Sequence, residues 1–150
     1  MTEHLLIPID LSYPSSWKKA LPHAFAMAKA TDAQLTVMTV IPEIMGGLDW
    51  RYSIRGETGG SEDFNVEEIL QQARAKLEEI GREHAPAGMT FEVIARYGTV
   101  YDEILNLAEE LPASQIVMAA HRKSMADYMI GSTTARVVRH ATCSVQVVRE

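Results

Sequence analysis

Short apolar runs of β type alternate along this chain with longer stretches of helical spacing, and that alternation predicts an α/β fold. Leu5-Leu6-Ile7-Pro8-Ile9 is apolar almost without a break up to Asp10, as expected of a strand covered on both faces of a parallel sheet, so it is placed centrally. Trp17, Leu21, Ala24, Phe25 and Ala28 then recur at helical spacing between Ser15 or Ser16 and Ala30. Pro22 falls inside that stretch and predicts either a kink or a helix that begins near Ala20. A second strand spans Gln34 to Val40 and stops at Ile41-Pro42, after which no period survives between Glu43 and Phe64, where a long loop is expected. Asn65 as N-cap with Glu68 at the capping-box position opens a second helix, with Val66, Ile69, Leu70, Ala73, Leu77 and Ile80 on one stripe. The remaining elements are a strand over Thr90–Ala95, a helix from Thr99 with Asp102 three residues on, and a strand over Gln115–Ala119. A helix over Ser132–His140 and a last strand over Val145–Val148, at or near an edge, complete the chain. Right-handed crossovers turn this order into a doubly wound, five-stranded parallel sheet with helices on both faces.

Composition narrows the picture. With 150 residues, 47% hydrophobic and 23% charged, the chain suits a single domain over 1–150 with a real core. A formal net charge of -6 argues against a nucleic-acid backbone as partner, because such partners select for a basic face. No segment reaches the roughly 20 consecutive apolar residues that a membrane helix needs, and the start of the chain lacks a leader pattern, so the expectation is a soluble, cytoplasmic protein with no membrane partner. Cys143, the single cysteine, heads an apolar strand and reads as buried packing.

Candidate chemistry concentrates late in the chain. Ile116-Val117-Met118-Ala119-Ala120-His121-Arg122 is a strand running into a polar loop, and Gly131-Ser132-Thr133-Thr134 then opens a helix. A helix N-terminus has unpaired N–H groups and a partial positive charge, so an anion seated there collects several donors. Gly131 permits close approach, the hydroxyls of Ser132, Thr133 and Thr134 add donors, and Arg122 or Lys123 adds charge; the same letters also make an ordinary loop with an N-cap. Doubly wound topology sets the end of the first strand beside the end of the fourth, which brings Asp10 to the same crevice. Asp10 there either accepts from a ribose hydroxyl or ligates Mg²⁺ held by phosphates, or it caps the first helix, with Ser12 as competitor. Val40 and Met118, at strand ends, offer apolar walls for a base or simply pack the core, and His121 is either a phosphate neighbour or a solvent-facing loop residue.

Several chemistries are unsupported. The chain has neither a Gly-x-x-x-x-Gly-Lys-Ser/Thr loop nor a Gly-x-Gly-x-x-Gly after the first strand. Gly56-Glu57-Thr58-Gly59-Gly60 lies where no strand precedes it and reads as linker. The five histidines, His4, His23, His84, His121 and His140, lack ligand spacing, and no nucleophilic triad is placed near the crevice.

Ile7-Pro8-Ile9-Asp10, Thr39-Val40-Ile41-Pro42, Tyr97-Gly98-Thr99-Val100-Tyr101-Asp102-Glu103-Ile104-Leu105, Ala119-Ala120-His121-Arg122 and Gly131-Ser132-Thr133 together resemble, in content and order, the universal stress protein family. The closing stretch Val137 to Arg149 resembles its bacterial F and G type members. The resemblance implies a Rossmann-like, adenine-nucleotide-binding-like fold, dimerisation through the last strand to a homodimer, and ATP at the switch point in members that bind it, with AMP or ADP as alternatives and Mg²⁺ alongside. By the same resemblance, Pro8, Ile9 and Asp10 border adenine and ribose, and Val40 the base. Ala119, His121, Arg122, Gly131, Ser132, Thr133 and Thr134 border the phosphates. Two glycines of the family's motif are replaced, by Ala119 and Arg122, and the segment between them and Gly131-Ser132 is one residue short. Arg122 therefore either replaces a lost backbone contact with a charge-assisted one or obstructs the phosphate site. The resulting expectation is a stress-response protein that binds an adenine nucleotide with little or no catalysis. Its rivals are a dimeric interaction module with a closed crevice, contacting partners through Trp50 and Tyr52 of the Met45–Ser61 loop, and a flavin binder of flavodoxin-like architecture.

Overall fold

The computed structural model describes residues 3–42, 65–120 and 131–149. The expected loop over Glu43–Phe64, including Trp50 and Tyr52, lies outside them, as do His121 and Arg122.

Five parallel strands form one sheet in the order β3-β2-β1-β4-β5: β1 His4–Pro8, β2 Gln34–Pro42, β3 Glu92–Gly98, β4 Gln115–Ala119 and β5 Ser144–Val148. Helices α1 (Ala20–Thr31), α2 (Val66–His84), α3 (Val100–Glu110) and α4 (Ser132–His140) connect them. Alternation along β1 splits the core in two. Leu5, Ile7 and Ile9 pack with Leu21 and Phe25 of α1 and Ile69, Ala73 and Leu77 of α2 on one face. Leu6 packs with Met38, Ile104 and Leu107 of α3 and Val137 of α4 on the other. Both faces are thus covered, as the apolar run of β1 requires.

Local chemistry explains where the elements differ from expectation. The first helix takes the later of the two starts that Pro22 allowed, at Ala20, which puts Pro22 in its first turn, where backbone N–H groups have no intrahelical acceptor and a missing one costs nothing. Pro14–Ser16 form a separate 3₁₀ turn. β2 runs two residues past Val40, because Ile41 and Pro42 continue the ladder opposite Tyr97 and Gly98, and β3 correspondingly occupies Glu92–Gly98, shifted from Thr90–Ala95. Asn65 caps α2 as expected, its side chain accepting from the Glu68 N–H at 3.2 Å. Thr99 is the N-cap of α3 but makes no side-chain cap bond.

At the amino end of the sheet the buried His4 Nε2 lies 2.7 Å from the Thr36 hydroxyl. Burial holds the imidazole pKa below its ordinary value of 6.5, against an opposing pull from Glu92. As pH falls through 6.5 the unfolded histidine takes up a proton that the folded one refuses, so the unfolded state binds more protons and stability declines. The drop in melting temperature between pH 7.5 and pH 5.5 is expected to be smaller in His4→Gln than in the parent chain. Equal drops would show that His4 is not the linked group.

Candidate functional site

The crevice opens where β1 and β4 part, and a proline marks the place. Ile9 donates its N–H to Met38 O of β2 at 2.8 Å, so the N–H position one residue earlier faces β4, and there Pro8 has no hydrogen to give. The β1–β4 ladder accordingly runs only through Leu5↔Gln115 and Leu6↔Ile116, while β1–β2 continues to Pro8↔Met38. Thr39 fixes the end of β1 from the other side, donating its buried hydroxyl to Ile9 O at 2.8 Å.

A cavity of about 410 Å³ fills this opening. Its floor comes from Pro8, Ile9, Met118 and Ala119 at the strand ends, and one rim from Gly131, Ser132, Thr133 and Thr134 at the start of α4. Short bonds tie the end of β4 to that rim and to β5: Gly131 donates to Ala120 O at 2.7 Å, and Ala120 donates to Val148 O at 2.9 Å. Gly131 is the N-cap of α4 with φ -64° and ψ 160°, a conformation open to any residue. Gly131 has no side chain with which to cap that helix, and its first turn carries no acidic residue, whereas the first turn of α3 carries Asp102 and Glu103. Of the two helix starts that reach the cavity, α4 is therefore the one that favours an anion.

Asp10 stands exposed at the opposite rim. It does not cap α1, whose N-cap is Lys19; its Oδ1 instead accepts the Ser12 N–H at 2.9 Å, closing a tight turn. Pro8, Ile9, Asp10, Met118, Ala119, Gly131, Ser132, Thr133 and Thr134 are thus brought together as the sequence suggested. Val40 does not line this cavity: it is buried beneath it, packed with Leu6, Met38 and Ile104, because its face of β2 is covered by α3. Thr134 lines the cavity, and its hydroxyl donates to Ala119 O at 3.0 Å, tying α4 to the end of β4. Val100 and Ile104 of α3, with Tyr13, Ser15 and Ser16, complete the lining and escaped the sequence reading. Each follows a strand at its carboxyl end, the signal that topology offers for such residues.

Gly98 sets where α3 enters. Its φ of +153° disfavours a side chain, and an added Cβ would stand 3.2 Å from Glu103 Cγ. Arg96 clamps the same helix, reaching Glu110 at 2.7 and 3.0 Å and Glu103 at 3.4 Å. Those hydrogen bonds hold the Glu110 carboxyl below its usual range and raise the guanidinium further. Cys143 is half-buried, and burial pushes its thiol up, away from reactivity. Among the described residues no group of three or more His, Cys, Asp or Glu side chains could hold a metal alone. A Mg²⁺ here would have to share Asp10 with the phosphates of a ligand. Among the described residues, no helix is long and apolar enough to cross a membrane.

A parallel sheet with helices on both faces and a cleft at the reversal of strand order defines a doubly wound α/β protein of the Rossmann-like kind. The sequence model of the universal stress protein family matches residues 1–149, and the chain belongs to that family. Universal stress protein G of Shigella flexneri is 27% identical over 150 residues, covering 99% of this chain and 100% of the relative. A universal stress protein solved in complex with cAMP superposes with a TM-score of 0.66 at 18% identity, covering 97% of this chain and 96% of that one. A family protein from Arabidopsis thaliana solved with AMP bound gives 0.63 at 15% identity, covering 99% and 92%.

Proposed function

We propose that this single-domain protein binds an adenine nucleotide, ATP or its relatives AMP and ADP, in the cleft between β1, β4 and the start of α4. The observation that carries the reading is the joint placement of the Asp10 rim and the α4 N-terminus on one cavity of about 410 Å³ with an apolar floor. Two fold neighbours that hold cAMP and AMP support the ligand class. In this reading the N–H groups and hydroxyls of Ser132 and Thr133 take a phosphate, with His121 and Arg122 contributing from the adjoining loop. Asp10 takes the ribose or a phosphate-bound Mg²⁺, and Pro8, Ile9, Met118 and Ala119 border the nucleoside. Catalysis is slow or absent in this reading: among the described lining residues Asp10 is the one carboxylate that could act as base, and His121 is the other candidate the sequence offers. The protein works as a homodimer in the cytoplasm in a stress response, and β5, at the sheet edge with its outer row of backbone groups unpaired by β4, supplies the dimer strand.

A ligand that binds only the folded state raises its melting temperature. Thermal shift with millimolar Mg-ATP, ADP and AMP, checked by equilibrium dialysis, is expected to show stabilisation by at least one of them. The absence of any shift and any retained nucleotide would refute the reading.

A further inference from the structure

Arg136 lies in the second turn of α4, four residues after Ser132 and therefore on the same face of that helix. Side chains on a helix lean back toward its N-terminus, and this one reaches the first turn of α3, where its guanidinium carbon stands 5.0 Å from the centroid of the Tyr101 ring. Tyr101 directly follows Val100, and Val100 and Ser132 both line the cavity. The cation is thereby held between the two helix starts that reach the cleft, beside the lining and not within it.

The contact places the charge without spending it. A ring attracts a cation through its π face and takes none of its N–H groups in an ordinary hydrogen bond, so the planar fork of donors that suits a phosphate stays available. Among the described residues Arg136 forms no ion pair, although Asp102 and Glu103 follow Tyr101 directly; Arg96 engages Glu103 and Glu110 on the opposite side of α3. Resting on the nucleotide reading above, we infer that Arg136 is the residue by which this cleft discriminates the length of a phosphate chain. The phosphate next to the ribose seats on the α4 N-terminus, and a chain of two or three phosphates extends past Ser132 to the guanidinium, which a monophosphate does not reach. Tyr101 is the positioning residue for that cation, and the cleft favours a nucleoside triphosphate over the monophosphate.

The test measures Mg-ATP and AMP affinity by calorimetry for the parent chain, Arg136→Gln, Arg136→Lys, Tyr101→Phe and Tyr101→Leu, with the melting temperature without ligand as the check on folding. The parent is expected to bind Mg-ATP more tightly than AMP. Arg136→Gln is expected to lose roughly 3- to 10-fold in Mg-ATP affinity, between what an exposed ion pair and a charge-assisted hydrogen bond supply, and to leave AMP unchanged. Arg136→Lys keeps the charge without the fork and is expected to lose less. Tyr101→Phe keeps the ring and the parent's ratio of the two affinities, whereas Tyr101→Leu keeps apolar bulk without a π face and lowers that ratio. A parent that binds AMP as tightly as Mg-ATP, an Arg136→Gln variant that weakens both ligands equally or neither, or an unchanged ratio in Tyr101→Leu overturns the assignment while leaving nucleotide binding intact. A parent chain that binds no nucleotide overturns the proposed function itself, and this inference with it.

Discussion

Gly131→Phe is expected to fold normally and to lose nucleotide affinity on the order of 10- to 100-fold, or about 1.4–2.8 kcal/mol. The separation of the two effects follows from the backbone. At φ -64° and ψ 160° the position carries no positive-φ constraint, so a side chain introduces no strain in the chain itself. The bonds that hold the turn, from the Gly131 N–H to Ala120 O at 2.7 Å and from the Ala135 N–H to Gly131 O at 2.9 Å, are main-chain bonds that a substitution leaves in place. What changes is the rim of the cavity, where Gly131 lies beside the first N–H groups of α4 and where, in the proposed reading, an anion must approach the backbone. Melting temperature without ligand and the far-ultraviolet circular dichroism spectrum check the fold, and calorimetric titration with Mg-ATP reads the affinity. A folded variant that binds like the parent would remove the α4 N-terminus from the site.

Gly81→Ala carries the largest expected loss of stability. In most helices this exchange gains about 1 kcal/mol, because alanine has the higher helix propensity. Here the sign reverses. Gly81 is buried in α2, and a Cβ built on it would stand 2.3 Å from Phe91 Cε2 and 2.5 Å from Cζ, well inside contact distance. The Phe91 ring cannot simply swing away, since it packs edge-on against Phe25 of α1 with centroids 5.7 Å apart and planes at 78°. Overpacking of this kind costs about 1–3 kcal/mol, and for a chain of this size each kcal/mol lowers the melting temperature by roughly 2–4 °C. The double variant Gly81→Ala with Phe91→Leu is expected to lose less than the two single losses added together, because the shorter side chain vacates the contested space. Additive losses, or an alanine variant as stable as the parent, would show that α2 and Phe91 separate freely.

The element pattern was legible because its causes are local. The unbroken apolar run of β1, the Asn65 and Glu68 pairing that opens α2, and the stripe from Val66 to Ile80 each announce themselves within one segment. Asp10 and Gly131–Thr134 lie far apart in the chain, and the doubly wound order is what suggests that they share one cavity. Pro22 gave two outcomes for the first helix, and the structure takes the later start because a proline fits the first turn and not the interior. Less was legible at strand ends: the ladder of β2 with β3 carries both strands beyond the points where composition suggested a stop.

The sequence by itself determined the α/β class, the order of elements and the residue types available for an anion, since periods of 2 and 3.6 and capping chemistry operate over a few residues. Only the tertiary structure decided that Tyr13 and Val100 share the cavity, that Val40 is sealed under α3, that the Thr134 hydroxyl is committed to Ala119, and that Gly81 makes room for a ring ten residues further on. Those outcomes depend on which surfaces meet across the sheet. A side chain's task is set by the neighbour that reaches it first, and that neighbour stands elsewhere in the chain.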